Sequence, residues 1–264
     1  MNPDQIAIAN ADLRDKPAQV TAKDGSPLPK NPFQDARVRE AVDIAIDRKT
    51  LAEISMEGLG TPQSQLVTPS IFGYSPKVQP QRHDPARARQ LLAEAGYANG
   101  FKVTLSFTSD RLPGDRQVGT SVAQMLAAVG IDAQANAQPG AVFFPARTRG
   151  DYSLALSGWG TLTGEAHYTL SSVVHSNDKE KRMGAFNVLN YASPQMDKLL
   201  QDAAVEMDEA KRRALLEQAN ELVARDRPRL PLVAVSSAWA MQKAKVTIKP
   251  RVDEDTLAMN IKPK

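Results

Sequence analysis

A chain of 264 residues makes one large domain or two small ones, since a domain averages roughly 150 residues. Hydrophobic residues (42%) are plentiful enough to bury a core, and the lack of cysteine excludes a disulfide scaffold, a Cys-ligated zinc site and a thiol nucleophile. The net charge of +3 is small, and residues 197–229 mix eight acids with seven bases, a salt-bridged helix surface rather than a basic stripe for nucleic acid.

Residues 6–9 alternate long enough for a short strand only. Residues 16–32, with Gly25, Pro17, Pro27, Pro29 and Pro32, read as an exposed linker. From Asp35 onward Val38, Ala41, Val42, Ala45 and Ile46 form one apolar stripe at helical spacing. Asp47 is the N-cap of a second short helix through Leu51 and Ile54, ending near Gly58. Residues 60–83, with four prolines, are irregular.

Asp84-Pro85 is a strong helix start, with Ala88, Leu91, Leu92 and Ala95 inward and Gly96 as the stop. Phe101, Val103, Leu105 and Phe107 alternate with polar residues as a half-buried strand. A helix follows with Val118, Val122, Met125, Leu126 and Val129 inward, then a weaker strand with Ile131, Ala133 and Ala135. Residues 142–149 make one short helix, and Tyr152, Leu154 and Leu156 a strand that breaks at Gly158-Trp159-Gly160. Ser193-Pro194 and Asp208 cap two more helices, and residues 232–240 close the chain as an extended region. Helices alternating with strands indicate an α/β architecture with a mixed sheet.

The search for chemistry is mostly negative. There is no Gly-Lys pair for a phosphate-binding loop, no Gly-x-Ser-x-Gly elbow and no His-Glu-x-x-His zinc motif. His83 precedes a helix cap and reads as solvated; His167, His175 and Glu165 lack diagnostic metal spacing. An enzyme is therefore not expected, nor a cofactor or metal. No run approaches the ~18 apolar residues of a membrane span, and residues 1–5 have no signal-peptide character. The stretch 152–168 stands apart: a strand end opens into a Gly-rich loop with one Trp and one acid, a plausible ligand rim because α/β sheets bind at strand ends. Against it stands a Trp packed in the core with a solvated Glu165.

Several strings resemble one family. Asn31-Pro32-Phe33-Gln34-Asp35-Ala36-Arg37-Val38-Arg39-Glu40-Ala41, followed by Ala45-Ile46-Asp47-Arg48, resembles a hallmark of family 5 solute-binding proteins, the peptide and nickel receptors of bacterial ABC importers. Asp84-Pro85-Ala86-Arg87-Ala88-Arg89-Gln90-Leu91-Leu92, Asp151-Tyr152-Ser153-Leu154 leading to Gly158-Trp159, and the closing Pro231-Leu232 are similar to family motifs in the same order.

The resemblance implies a periplasmic binding protein of type 2, closing on its solute between two lobes and delivering it to an inner-membrane ABC permease. It also implies that the chain corresponds to the C-terminal half. Residues 1–32 would be a hinge strand and linker from the first lobe, 33–235 the second lobe, and 236–264 a return toward the missing N-terminal lobe. By the same resemblance the location is periplasmic and the solute a peptide or a peptide-like molecule such as glutathione. A truncated, non-binding remnant or interaction module is the competing expectation.

Peptide-binding members carry an Asp three residues after the strand-end Trp, then commonly a second acid and Pro. Here those positions are Leu162, Glu165 and Ala166, and Thr163-Gly164-Glu165-Ala166 resembles the glutathione-receptor branch. The resemblance thus implies ligand contacts from Gly158, Trp159, Thr163 and Glu165, with Glu165 as the main recognition charge and Trp159 as its wall. Arg147 stands where some members place a carboxylate-binding Arg.

Overall fold

The computed structural model describes residues 5–235, 241–242, 244–249 and 257–263. Among them, β1 (Gln5–Ala11), β2 (Val20–Thr21), β3 (Gly60–Pro62), β4 (Phe101–Thr108), β5 (Ile131–Gln138), β6 (Leu154–Gly160) and β7 (Arg229–Val235) form one mixed sheet. β4 pairs along its whole length with parallel β5. Its other edge takes antiparallel β2 at Lys102–Val103 and parallel β6 at Leu105–Phe107. β1 then runs antiparallel between β6 and β7, and β3 closes the far edge against β7. A separate antiparallel pair joins β8 (Val246–Ile248) to β9 (Ile261–Pro263).

The helices are α1 (Ala36–Ala45), α2 (Arg48–Thr50), α3 (Pro85–Glu94), α4 (Asp115–Ala128), α5 (Gly140–Arg149), α6 (Ala166–Val173), α7 (Pro194–Val205) and α8 (Glu209–Asp226). Their starts follow local chemistry. The carboxylates of Asp35, Asp84 and Asp208 and the hydroxyl of Ser193 accept from amides just inside their helices, supplying partners that the first turn lacks.

Two apolar layers cover the sheet. α1, α3 and α4 pack on one face through residues such as Val38, Leu91 and Val122. α6, α7 and α8 pack on the other through Leu170, Leu200 and Leu216. β1 shows why both faces are filled: Ala7, Ala9 and Ala11 join the first core, while Ile6 and Ile8 join the second. With partners on both edges, a stretch expected as a short strand becomes seven residues at the heart of the sheet.

Other departures from expectation have similar causes. The strand expected to break at Gly158 continues through Trp159 to Gly160, because β1 offers paired backbone as far as Gln5. β3 lies in a stretch expected to be irregular, and its pairing with β7 makes it a strand. The turn after α2 widens to i→i+5 bonding over Leu51–Ser55; there Leu51 is buried and Ile54 is 72% exposed. α6 forms inside the stretch before Ser193 that is expected to be irregular. The extended region expected over 232–240 is β7 as far as Val235, and residues 236–240 lie outside the described residues.

Candidate functional site

β4, β5 and β6 are parallel, so their carboxyl ends open at one end of the sheet, where an α/β protein binds ligands. Alternation along β6 puts Leu154 and Leu156 in the first core and Ala155, Ser157 and Trp159 on the opposite face. Gly158 lies between them, half-buried. A Cβ there would stand 2.8 Å from Leu112 Cδ1, so glycine lets the β4–α4 loop approach the strand end.

Trp159 is half-buried inside an aromatic cluster. It stacks on Tyr168 of α6 with ring centroids 5.9 Å apart, and meets the exposed Phe186 edge-on at 5.1 Å. Its Nε1–H donates to Thr169 Oγ1 at 3.1 Å, and that hydroxyl shares a second bond with Thr161 Oγ1. The indole is thus held in one orientation by packing on one side and a hydrogen bond on the other. Of the two sequence alternatives, neither describes it fully: the ring packs on the second core yet keeps an exposed side.

Arg147 reaches this face from α5. Its Nη1 donates to Ser157 Oγ at 3.2 Å, and its guanidinium sits 5.6 Å from the Phe144 ring centre. Its Nε is buried with no hydrogen-bond partner among the described residues, and burial lowers the guanidinium's pKa from its ordinary value. Ser157 Oγ also accepts from Asn10 Nδ2 at 3.2 Å, and Asn10 Oδ1 accepts from Arg229 Nη1. Arg229 is buried; it also donates to Val173 O at 2.9 Å and to Phe186 O at 2.7 Å. Arg229 thereby anchors the aromatic edge of Trp159's cluster.

The loop after β6 is pinned from behind. Phe72 N donates to Gly164 O at 3.0 Å, and Ala166 N donates to Phe72 O at 2.9 Å. Leu162 at its tip is 72% exposed, and Gly164 takes φ +70°, a left-handed conformation that favours glycine. Thr163 is exposed, its hydroxyl 3.4 Å from Glu165 O. Glu165 Oε1 accepts from Arg212 Nε at 2.7 Å and Nη2 at 2.6 Å, and Arg212 also donates to Ala203 O. The recognition charge expected at Glu165 is therefore already engaged by α8.

Sequence reasoning located Gly158, Trp159 and Arg147, which the fold brings together over β6. It missed Tyr168, Phe186, Asn10, Ser157 and Arg229. Ala166, Thr169, Leu170 and Val173 at helical spacing would have found α6 and with it Tyr168. The others are joined only by tertiary contacts.

The histidines are held by the protein. His167 Nε2 lies 3.1 Å from Leu200 O, and His175 Nδ1 lies 2.6 Å from Ser176 O. Among the described residues no group of three acids or histidines is placed to hold a metal ion, and no helix is long and apolar enough to cross a membrane. His167 carries a pH prediction. Burial, the largest cause, lowers its pKa below the ordinary histidine value. The unfolded chain then takes up a proton near pH 6.5 that the folded chain resists, so this contribution to stability is lost as pH falls below about 6.5. Urea midpoints at pH 7.5 and 5.5 are expected to differ less in His167→Gln than in the parent; an equal difference refutes the assignment.

Residues 7–181 match the family described as bacterial extracellular solute-binding proteins, family 5 Middle. Over 239 residues the chain is 32% identical to the glutathione-binding protein GsiB of Escherichia coli (strain K12), covering 89% of this chain and 46% of that protein. GsiB of Shigella dysenteriae serotype 1 matches to the same extent. The chain thus spans about half the length of the curated relatives it matches. Among solved structures, the periplasmic binding protein DppA of Helicobacter pylori, in complex with the peptide STSA, superposes with a TM-score of 0.72 at 24% identity, over 87% of this chain and 43% of that one. A dipeptide-binding protein of pseudoalteromonas sp. SM9913, in complex with Met-Leu, gives 0.76 at 21% identity, over 98% and 48%. These structures share the mixed sheet flanked by helices, the fold of type 2 periplasmic binding proteins. By its sequence match over residues 7–181, the chain belongs to family 5 of the bacterial extracellular solute-binding proteins.

Proposed function

We propose that this chain is the ligand-binding lobe of an ABC importer's receptor, taking a peptide or peptide-like solute such as glutathione in the periplasm. Solute is captured between this lobe and a complementary N-terminal lobe, and the closed receptor delivers it to an inner-membrane permease. One observation carries the reading: an oriented indole stands at the carboxyl end of β6, with a guanidinium bonded to Ser157 two residues earlier on the same face. In this reading Trp159 and Gly158 form the wall, Thr163 the rim and Arg147 the polar anchor. Glu165 orders the rim loop through Arg212.

A solute buried between two lobes owes roughly half its contacts to each, and every 1.4 kcal/mol lost costs about tenfold in affinity. Calorimetry should therefore show micromolar binding of glutathione or a short peptide by the chain co-expressed with the complementary lobe, and only millimolar binding by the chain alone. A two-lobe protein that takes up none of these solutes would refute the reading and leave a non-binding remnant. Micromolar binding by the chain alone would refute the two-lobe capture.

A further inference from the structure

On the face opposite Trp159, the first core ends in an apolar slot at the carboxyl end of β6. Phe107 of β4, Leu156 of β6, Val235 of β7 and Val118 of α4 form its walls, and Met56 and Leu112 fill it. Side chains alternate along β6, so Leu156 and Gly158 face this slot while Trp159 faces the second core. Slot and indole thus flank a single strand end. Pro113, at the mouth of the slot, is exposed, and about 20 Å³ is free inside, space for one water molecule.

Glycines on three separate elements make room for the side chains that occupy it. A Cβ at Gly158 of β6 would meet Leu112 alone, with Cδ1 at 2.8 Å and Cγ at 3.4 Å. One at Gly60 of β3 would stand 2.9 Å from Met56 Sδ, and one at Gly119 of α4 would stand 2.4 Å from Phe107 Cζ.

Two of the lining side chains are adjustable. Leu112 belongs to the β4–α4 loop, whose backbone is held by one carboxylate oxygen. Asp115 Oδ2 accepts from Leu112 N at 2.9 Å, from Arg111 N at 2.9 Å and from Thr108 Oγ1 at 2.7 Å. The half-buried Leu112 side chain can therefore change rotamer while its loop stays in place. Met56 follows the wide turn over Leu51–Ser55, a kind of turn common at functional sites, and its unbranched thioether fits gaps of varied shape.

We infer that this slot is an apolar subsite plugged by the chain itself, and that Leu112 determines specificity by yielding its place to an aliphatic group of the solute. The inference rests on the receptor reading. The solute lies across the end of β6, with its backbone against Trp159 and one aliphatic side chain in the slot. That side chain replaces the contacts Leu112 gives up, so a group as large as leucine's is favoured and a smaller one leaves a void.

The test uses the chain itself and the dipeptides Leu-Leu and Gly-Gly, followed by NMR at the Leu112 δ-methyls, the Met56 ε-methyl and the Trp159 indole N–H. In the millimolar range Leu-Leu is expected to move all three signals, and Gly-Gly the indole only. Leu112→Ala has no plug to displace, so its preference for Leu-Leu over Gly-Gly should rise at least fivefold. Should that variant not fold, Leu112→Val, one carbon shorter, should raise the preference at least twofold. Gly158→Ala puts a methyl where Leu112 now sits and should lower the preference at least fivefold.

The inference is overturned, and the receptor reading kept, if Leu-Leu moves the indole but leaves the Leu112 and Met56 methyls unshifted. The same holds if the folded Leu112 variant prefers Leu-Leu no more than the parent does. If neither dipeptide moves any of the three signals, the peptide-receptor reading falls and the plugged subsite falls with it.

Discussion

Asp43→Ala is expected to destabilise the chain by about 3–5 kcal/mol, the cost of leaving one member of a buried ion pair without its partner. Asp43 sits on the inner side of α1 and is buried, as is Arg48 of α2. Its Oδ1 accepts from Arg48 Nη2, and its Oδ2 from Arg227 Nε at 3.1 Å. Arg48 spends its remaining bonds on carbonyls: Asp43 O at 3.0 Å, Gln63 O at 3.0 Å just beyond β3, and Pro231 O at 2.9 Å on β7. One guanidinium thus ties α1, α2, the sheet edge and the strand beside β1. Without the carboxylate it keeps its carbonyls but loses the charge that made its burial tolerable. Urea denaturation would show the loss as a lower midpoint at an unchanged slope.

A second variant separates charge from tethering. Replacing a whole buried ion pair by apolar side chains is often near neutral. Asp43→Ala combined with Arg48→Met should therefore recover much of the lost stability if the uncompensated charge is the cause. A double variant as unstable as the single one would show that the carbonyl tethers lost with Arg48 matter as much as the uncompensated charge. An unchanged midpoint in Asp43→Ala would refute the pair's role altogether.

Trp159→Ala is expected to cost about 2 kcal/mol of stability and, in the two-lobe receptor, at least tenfold in affinity. Full burial of an aromatic side chain would put the first figure at about 3–5 kcal/mol. Trp159 is only half-buried, and its loss frees the faces of Tyr168 and Phe186 rather than opening a sealed cavity. The affinity loss follows from the exposed side of the ring, since tenfold corresponds to about 1.4 kcal/mol.

Trp159→Phe keeps the wall but removes the N–H that donates to Thr169, so it should cost about 0.5–1.5 kcal/mol of stability and little affinity. Thermal unfolding and calorimetry on the same samples distinguish the roles. If both variants lower the melting temperature and neither alters binding, the indole is only packing, and the proposed wall is wrong.

Helix starts were legible in the sequence because a cap is a local event. Asp35, Asp47, Asp84, Ser193 and Asp208 each accept from amides two or three residues ahead, so residue type and position suffice. The alternation of Phe101, Val103, Leu105 and Phe107 likewise announced β4. The ordered motifs from Asn31 to Leu232 announced the family, and the strand-end position of Gly158 and Trp159 marked the candidate site.

Tertiary structure decided what depends on partners far along the chain. β1 reaches seven residues, and β6 runs on through its glycines, because each lies against the other, 143 to 155 positions away. Periodicity inside either segment carries no trace of that pairing. The state of charged groups is of the same kind. Glu165 is an exposed rim acid in the sequence, and Arg212, 47 residues later, makes it a bonded one. Arg147 and Arg229 are ordinary surface residues by type. Folding puts them on one face with Asn10 and Ser157 and no acid in bonding distance among the described residues. Caps and periodicity act over a few residues of backbone, and the sequence determines them directly. A charge takes its value from whatever the fold packs beside it, and only the assembled sheet settles that.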